Sequence, residues 1–69
     1  LRIAEESGEV TDVAVDIHSI GTVYYKKGEL KKALTYFERA HEIFRKAGHA
    51  HAKIVVKWIE DTKRKIRKK

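Results

Sequence analysis

A chain of 69 residues makes one small domain with a thin core. The sequence contains no cysteine, which excludes a disulfide framework and a thiolate nucleophile or metal ligand, and no apolar run approaches the roughly 20 residues that a membrane-spanning helix needs. The net charge of +6 is uneven, because residues 1–16 hold one base against five acids whereas residues 53–69 hold eight bases against two acids. Any preference for an acidic partner therefore belongs to the C-terminal segment.

The first residues resemble a later stretch of the chain. The segment "LRIAEESG" at 1–8 lines up with "HEIFRKAG" at 41–48, so that Gly8 matches Gly48 at an offset of 40 residues. Self-similarity at such a period is typical of a repeat array. We therefore expect residues 1–8 to be the end of a preceding repeat helix.

The next segment predicts a helix over roughly 12–27. Thr11 suits the N-cap, because its hydroxyl can accept a hydrogen bond from the first turn. Gly28 suits the left-handed residue that follows the end of a helix. Larger apolar residues recur between them at helical spacing, at Val13, Ile17, Ile20 and Tyr24.

Two more helices are expected downstream. Apolar residues recur at i, i+3, i+4 and i+7 from Leu30 to Phe44, and this second helix should end at Ala47, just before Gly48. The third helix is expected over 50–67. Its apolar stripe consists of Val55, Trp58, Ile59, Thr62 and Ile66. The Trp58 side chain could be an exposed anchor for a partner, but its register in this stripe favours burial against Phe37 or Phe44.

The spacing of small and large residues across the first two helices resembles the tetratricopeptide repeat. In that family a large residue is followed by Leu-Gly, Tyr, Ala and Phe at fixed separations, and the small residues lie where two antiparallel helices cross. The matching positions in this chain are Ile17, Ile20, Gly21, Tyr24, Gly28, Ala33, Phe37 and Ala40. Ile17 stands where the family prefers Trp, and Arg45 where it often has proline.

The resemblance implies an all-α fold. Residues 12–47 would form one antiparallel helix-turn-helix repeat of an α-solenoid, and residues 50–67 a C-terminal capping helix with one apolar and one charged face. The motif does not recur in that last helix, since Asp61 and Arg64 stand 40 residues after Gly21 and Tyr24.

The resemblance also implies a function in protein–protein interaction. In the family, the first helix of each repeat lines a concave groove that binds peptides or partner proteins. The corresponding groove residues here are Val15, His18, Thr22, Tyr25 and Lys26. His18 and Thr22 replace the Lys and Asn with which some members clamp a terminal carboxylate, so that activity is not expected. We expect a scaffold or adaptor without catalysis, cofactor or metal.

Other functional classes have weaker support in the sequence. His49 and His51, with His41 nearby, suggest metal ligands, but they lack the i, i+4 spacing and the additional donors of a metal site. Ser7 and Ser19 have no evident histidine and acid partners, which argues against an enzyme. Polar residues at a turn between helices are the default interpretation of the histidines.

The basic tail "KRKIRKK" at 63–69 supports an alternative function. Six cationic side chains there can bind an acidic partner or the phosphates of a nucleic acid, although cations in the last turn of a helix also stabilise it through the helix dipole. A protein or peptide partner remains the first expectation, with no membrane partner.

Composition adds expectations about the source and assembly of the chain. Asn, Gln, Cys, Met and Pro are absent while Lys and Glu are abundant, which is the bias of thermophile proteins. We expect a cytoplasmic piece of a longer protein or a processed product. Because one repeat leaves an apolar face uncovered, around Ile3, Val13 and Ile17, self-association is expected, and a pure self-association module is a further alternative.

Overall fold

The chain folds as three helices joined by two short turns. A computed structural model describes residues 2–68, and the side chains of residues 11–68, so Leu1, Lys69 and the side chain of Ile3 lie outside the described part. The helices are α1 (Arg2–Lys27), α2 (Leu30–Ala47) and α3 (His51–Lys68), and residues 2–68 contain no strand. The predicted all-α class is confirmed. None of these helices combines the length and the apolar character that crossing a bilayer would require.

Glycines set both turns. Gly28 and Gly48 adopt left-handed backbone angles, with φ of 89° and 69°. At each turn the glycine N–H donates to the carbonyl three residues back at 3.1 Å, and the next N–H donates to the carbonyl five residues back at 2.9 Å. This is the Schellman pattern, which satisfies carbonyls at a helix end. The predicted ends of the first two full helices are thus confirmed.

The predicted helix boundary between residues 8 and 12 is wrong. Helix α1 runs without a break from Arg2 to Lys27, through Gly8 and through Thr11, which was expected to be an N-cap. A glycine inside a helix costs only about 1 kcal/mol relative to alanine, and no proline prevents the helix from continuing. Gly8 therefore does not end a helix as Gly28 and Gly48 do.

Helices α1 and α2 pack closely where the sequence predicted a crossing. A Cβ atom built on Gly21 would lie 2.8 Å from two ring atoms of Phe37 and 3.2 Å from the Cβ of Tyr36. Phe37 is fully buried, as are Ala33 and Ala40 on the same helix. Because Gly21 precedes the Gly28 turn and Phe37 follows it at a similar separation, the two helices run antiparallel. The small residue at 21 lets the aromatic ring lie directly on the α1 backbone.

The expected apolar stripe of α1 lies only partly in the core. Ile17 and Tyr24 pack against the buried cluster, but Ile20 keeps 42% of its surface exposed and Val13 is exposed as well. The interpretation of Ile20 as a packed motif residue is therefore wrong in this structure. Helix α2 lies over Ala14 and Gly21. Val13 and Ile20 each directly precede one of these residues, and neighbouring helical residues point about 100° apart. Val13 and Ile20 therefore point away from α2.

Helix α3 packs on α2 through the predicted stripe. Val55 and Thr62 are fully buried, and the Thr62 hydroxyl donates to the Trp58 carbonyl at 2.7 Å. The Trp58 ring lies 5.5 Å from the Phe37 ring, which confirms the expected contact. Trp58 is only half-buried, however, and its remaining surface contributes to the site described next.

Candidate protein-interaction site

The five predicted groove residues do not share one environment. The rings of His18 and Tyr25 are half-buried and turn toward α3, whereas Val15 and Lys26 are exposed. Thr22 is half-buried, and its hydroxyl donates to the Ser19 carbonyl at 2.7 Å. The first helix therefore does not present all five side chains together on one open face.

Aromatic rings join α1 to α3. The Trp58 ring meets the rings of His18 and Tyr25 edge-on, at centroid distances of 5.5 Å and 5.4 Å and interplanar angles of 86° and 82°. The same two α1 rings contact Phe37 of α2, at 5.2 Å and 6.4 Å. Edge-to-face pairs of this kind add favourable electrostatics to the burial of the rings. Trp58 thus holds the third helix beside the first.

Polar contacts fix the orientation of Tyr25. Its hydroxyl donates to the carboxylate of Asp61 on α3. The Lys65 ammonium lies 4.7 Å from the centre of the Tyr25 ring, within the range of a cation–π contact. Interaction with the Tyr25 hydroxyl raises the pKa of Lys65 above its ordinary value, and Asp61 adds to this effect. These contacts leave the outer edge of Tyr25 and Trp58 facing a depression in the surface.

This depression, the α1–α3 cleft, has a volume of about 280 Å³ and is lined by Tyr25, Lys57, Trp58 and Asp61. Two aromatic rings supply an apolar wall, Lys57 a positive charge and Asp61 a hydrogen-bond acceptor. Aromatic residues beside a small number of polar groups are typical of binding sites for peptides and side chains. Only Tyr25 among these four was predicted as a binding residue. The available signal is the Lys57-Trp58-x-x-Asp61 spacing on one helix, but the sequence favours burial of Trp58 in the core over an exposed anchor for a partner.

The His18 ring packs against Phe37 and Trp58, and with Tyr25 these rings form one aromatic group. The Nε2 atom of His18 is buried without a hydrogen-bond partner among the described residues. Burial lowers the pKa of His18 below its ordinary value of 6.5, and the charge of His51 lowers it further. The two imidazoles are 5.8 Å apart. The neutral form of His18 is therefore the one that fits this environment.

The turn between α2 and α3 brings the rings of His49 and His51 together. The backbone N–H of His51 donates to Nδ1 of His49 at 3.0 Å, and both rings pack on Phe44, at 5.4 Å and 4.8 Å. Within residues 11–68, no group of three or more His, Cys, Asp or Glu side chains is placed to hold a metal ion. In the described structure these histidines pack against Phe44 and help to form the turn.

Two other depressions lie away from the predicted groove. The larger, about 590 Å³, lies beside the first turn and is lined by Gly28, Glu29, Leu30, Lys31, Lys32 and Ile66. No aromatic residue of the described part lines it, so the smaller α1–α3 cleft is the better candidate for an anchoring site. A third, about 350 Å³, is lined by Tyr24, Lys32, Thr35, Tyr36 and Arg39.

Comparisons with protein-family models, with curated proteins and with solved structures find no match for this chain. The tetratricopeptide resemblance therefore rests on the spacing of residues alone.

Proposed function

We propose that the chain is a protein-interaction module of tetratricopeptide type that binds a peptide or a segment of a partner protein in the α1–α3 cleft, as a cytoplasmic scaffold or adaptor without catalysis. In this proposal α1 and α2 form the repeat and α3 is its capping helix. The observation that carries it is the half-buried Trp58 beside Tyr25, whose outer edges form one wall of the cleft.

The fixed geometry of the cleft supports this proposal. Tyr25 is held by Asp61 and Lys65, and Trp58 is held by rings on both neighbouring helices. A binding surface that is already ordered spends little conformational entropy when a ligand arrives. An apolar side chain of a partner would contact the two rings and displace water from them.

The surrounding charge favours an acidic partner segment. Lys57 lines the cleft, and Lys26 and Lys65 are exposed on the two helices that form it. Among residues 11–68, Asp61 is the one acid that lines the cleft, and its carboxylate already accepts a hydrogen bond from Tyr25. We expect the preferred ligand to combine one large apolar residue with a nearby Glu or Asp.

Selection from a random peptide library tests this proposal. Peptides selected on the immobilised chain should carry the acidic-apolar combination, and titration calorimetry should show binding that Lys57→Glu weakens at least about tenfold. Chemical shifts of Tyr25 and Trp58 should move on binding. The matched control is Lys53→Glu, which reverses an exposed lysine one turn earlier on α3 and outside the residues that line the cleft.

Two results would contradict the proposal. One is equal binding to the Lys57→Glu and Lys53→Glu variants. The other is a set of chemical-shift changes centred on Leu30 and Ile66, which would place the ligand in the larger depression beside the first turn.

A second candidate function uses the end of α3. The described bases there are all exposed: Lys63, Arg64, Lys65, Arg67 and Lys68. Such a cluster can bind phosphates by releasing counterions, so affinity for a labelled single strand of about 20 nucleotides should fall steeply between low and physiological salt. Arg64→Glu with Arg67→Glu should abolish that binding and leave selected peptides bound. Salt-insensitive binding would exclude this function.

A further inference from the structure

Between Val13 and Lys27, helix α1 has a second face that the described parts of α2 and α3 leave exposed. Val13, Ile20 and Val23 keep 51%, 42% and 51% of their surfaces exposed. Asp16 and Lys27 are exposed at the intervening and following positions. We call these five residues the outer face of α1.

The spacing along the outer face is that of a helix-pairing surface. Its members follow one another at intervals of three, four, three and four residues, which places them on one side of the helix. The same alternation, repeated, is the seam of a two-stranded coiled coil, where two helices wind around each other. Isolated apolar residues on a surface need no explanation, but three in such register favour contact with another helix.

The order of charges along α1 determines which helix fits best. Acidic residues, Asp12 and Asp16, come before Ile20 and Val23, and Lys27 comes after them. If a second α1 lies alongside in the antiparallel direction, each acidic end faces a basic end. A parallel copy would instead place acid against acid and Lys27 against Lys27. Unlike charges across a helix pair favour it, and like charges disfavour it.

The neighbouring surface of α2 fits the same arrangement. Beside the outer face, the Tyr24 and Tyr36 rings stack at 5.5 Å with an interplanar angle of 9°, and Lys32 and Arg39 line the depression around them. A second α1 running antiparallel brings its acidic half toward this basic end of the first α1 and toward Lys32 beside it.

We propose that two copies of the chain form a symmetric dimer in which the outer faces of their α1 helices pair in the antiparallel direction, leaving both α1–α3 cleft sites open. The contact involves one face of one helix per copy and is therefore small, so affinity in the micromolar range or weaker is expected. Because the outer face and the cleft share no residue, dimer formation and peptide binding can fail independently.

Sedimentation equilibrium of the full chain tests the dimer. Between about 10 µM and about 1 mM, the average mass should rise from the monomer value of 8.0 kDa toward twice that value. Ile20→Glu should weaken the dimer at least about tenfold while circular dichroism shows unchanged helix content. The matched control is Ile54→Glu on α3, where the wild-type side chain is similarly exposed at 48% and the dimer should persist.

Charge exchange tests the direction of pairing. Asp16→Lys and Lys27→Glu should each raise the dissociation constant roughly three- to tenfold, because each places like charges across the antiparallel pair, and the double variant should recover wild-type affinity. A double variant no tighter than the single variants would overturn the antiparallel arrangement. A chain that stays monomeric up to about 1 mM, or one whose dimer is lost in Ile54→Glu but not in Ile20→Glu, would overturn the dimer itself.

Discussion

The Phe37 ring makes two different kinds of packing contact. The first is with Gly21, which is so close that a single added carbon would meet the ring at 2.8 Å. The second is with the rings of His18, Tyr25 and Trp58, which carry polar atoms and whose centres are 5.2–6.4 Å away. We call the first contact the sealed side of Phe37, because backbone closes it, and the second the open side, because Tyr25 and Trp58 also line the α1–α3 cleft.

The contact with Gly21 therefore serves the stability of the fold, whereas the rings on the open side belong to the candidate binding surface. Close packing against backbone leaves no room for a ligand, and any change of volume there strains the helix pair. Rings packed edge-on, with hydroxyl, imidazole and indole groups at their margins, leave a surface that is partly apolar and partly polar. Substitutions at the two sides should therefore have different consequences.

Removing the shared ring should have the largest effect. Phe37→Ala leaves a cavity between all three helices and should lower the free energy of unfolding by about 3–5 kcal/mol, a large fraction of the stability of a domain of this size. Urea unfolding followed by circular dichroism measures this. Thr35→Ala, at an exposed position on the same helix, is the control and should change stability by no more than about 0.5 kcal/mol. A loss below about 1 kcal/mol for Phe37→Ala would show that the ring is not the centre of the core.

The sealed side is tested by adding one methyl group. Gly21→Ala pushes a carbon into the Phe37 ring, which should lower the free energy of unfolding by about 1–3 kcal/mol. The higher helix propensity of alanine returns about 1 kcal/mol of this. We therefore expect a net loss of stability. Gly8→Ala, at the other glycine inside α1, should instead gain up to about 1 kcal/mol.

Combining Gly21→Ala with Phe37→Leu sharpens the result. The smaller side chain makes room for the added methyl, so the double variant should lose less stability than the two single losses added together. Strict additivity in urea unfolding would indicate that residues 21 and 37 do not touch.

The open side is tested by pH, with the smallest expected effect. The pKa of His18 is lowered in the folded chain, so the unfolded chain binds the proton more strongly. The free energy of unfolding should therefore fall as pH drops below about 6.5 and continue to fall until the pH passes the lowered pKa. Urea midpoints between about pH 7.5 and about pH 5 measure this slope, above the range in which carboxylates titrate.

Two variants assign the pH effect to its cause. His18→Gln should remove most of the slope, because the buried titrating group is gone. His51→Gln should reduce it less, because burial of His18 is the larger cause of the lowered pKa and the charge of His51 the smaller. An unchanged slope in His18→Gln would contradict this assignment.

The sealed side could be predicted from the sequence, because it depends on local spacing. A small residue at 21 and a large residue at 37, on either side of a glycine turn, specify a close crossing of two helices. Gly28 and Gly48 were likewise predicted correctly as helix ends. In the sequence, Gly8 resembles Gly28 and Gly48, but it does not end a helix. A glycine ends a helix only where the backbone turns left-handed, and the sequence alone does not show where that happens.

The open side could not be predicted in the same way. The repeat pattern describes how α1 lies on α2, but the position of α3 relative to α1 depends on the whole aromatic group. His18 and Tyr25 were therefore assigned to an open groove, although Trp58 lies against both rings. Ile20 matches a packed position of the repeat motif, but 42% of its surface is exposed in this structure.

Trp58 is the only tryptophan in the sequence, and its indole lies between the His18 ring and the cleft. All indole emission from the natural chain therefore originates at this one position. Arrival of a ligand in the cleft, or a change of charge on the adjacent imidazole, can be followed in the unlabelled protein by the intensity and wavelength of that single emitter.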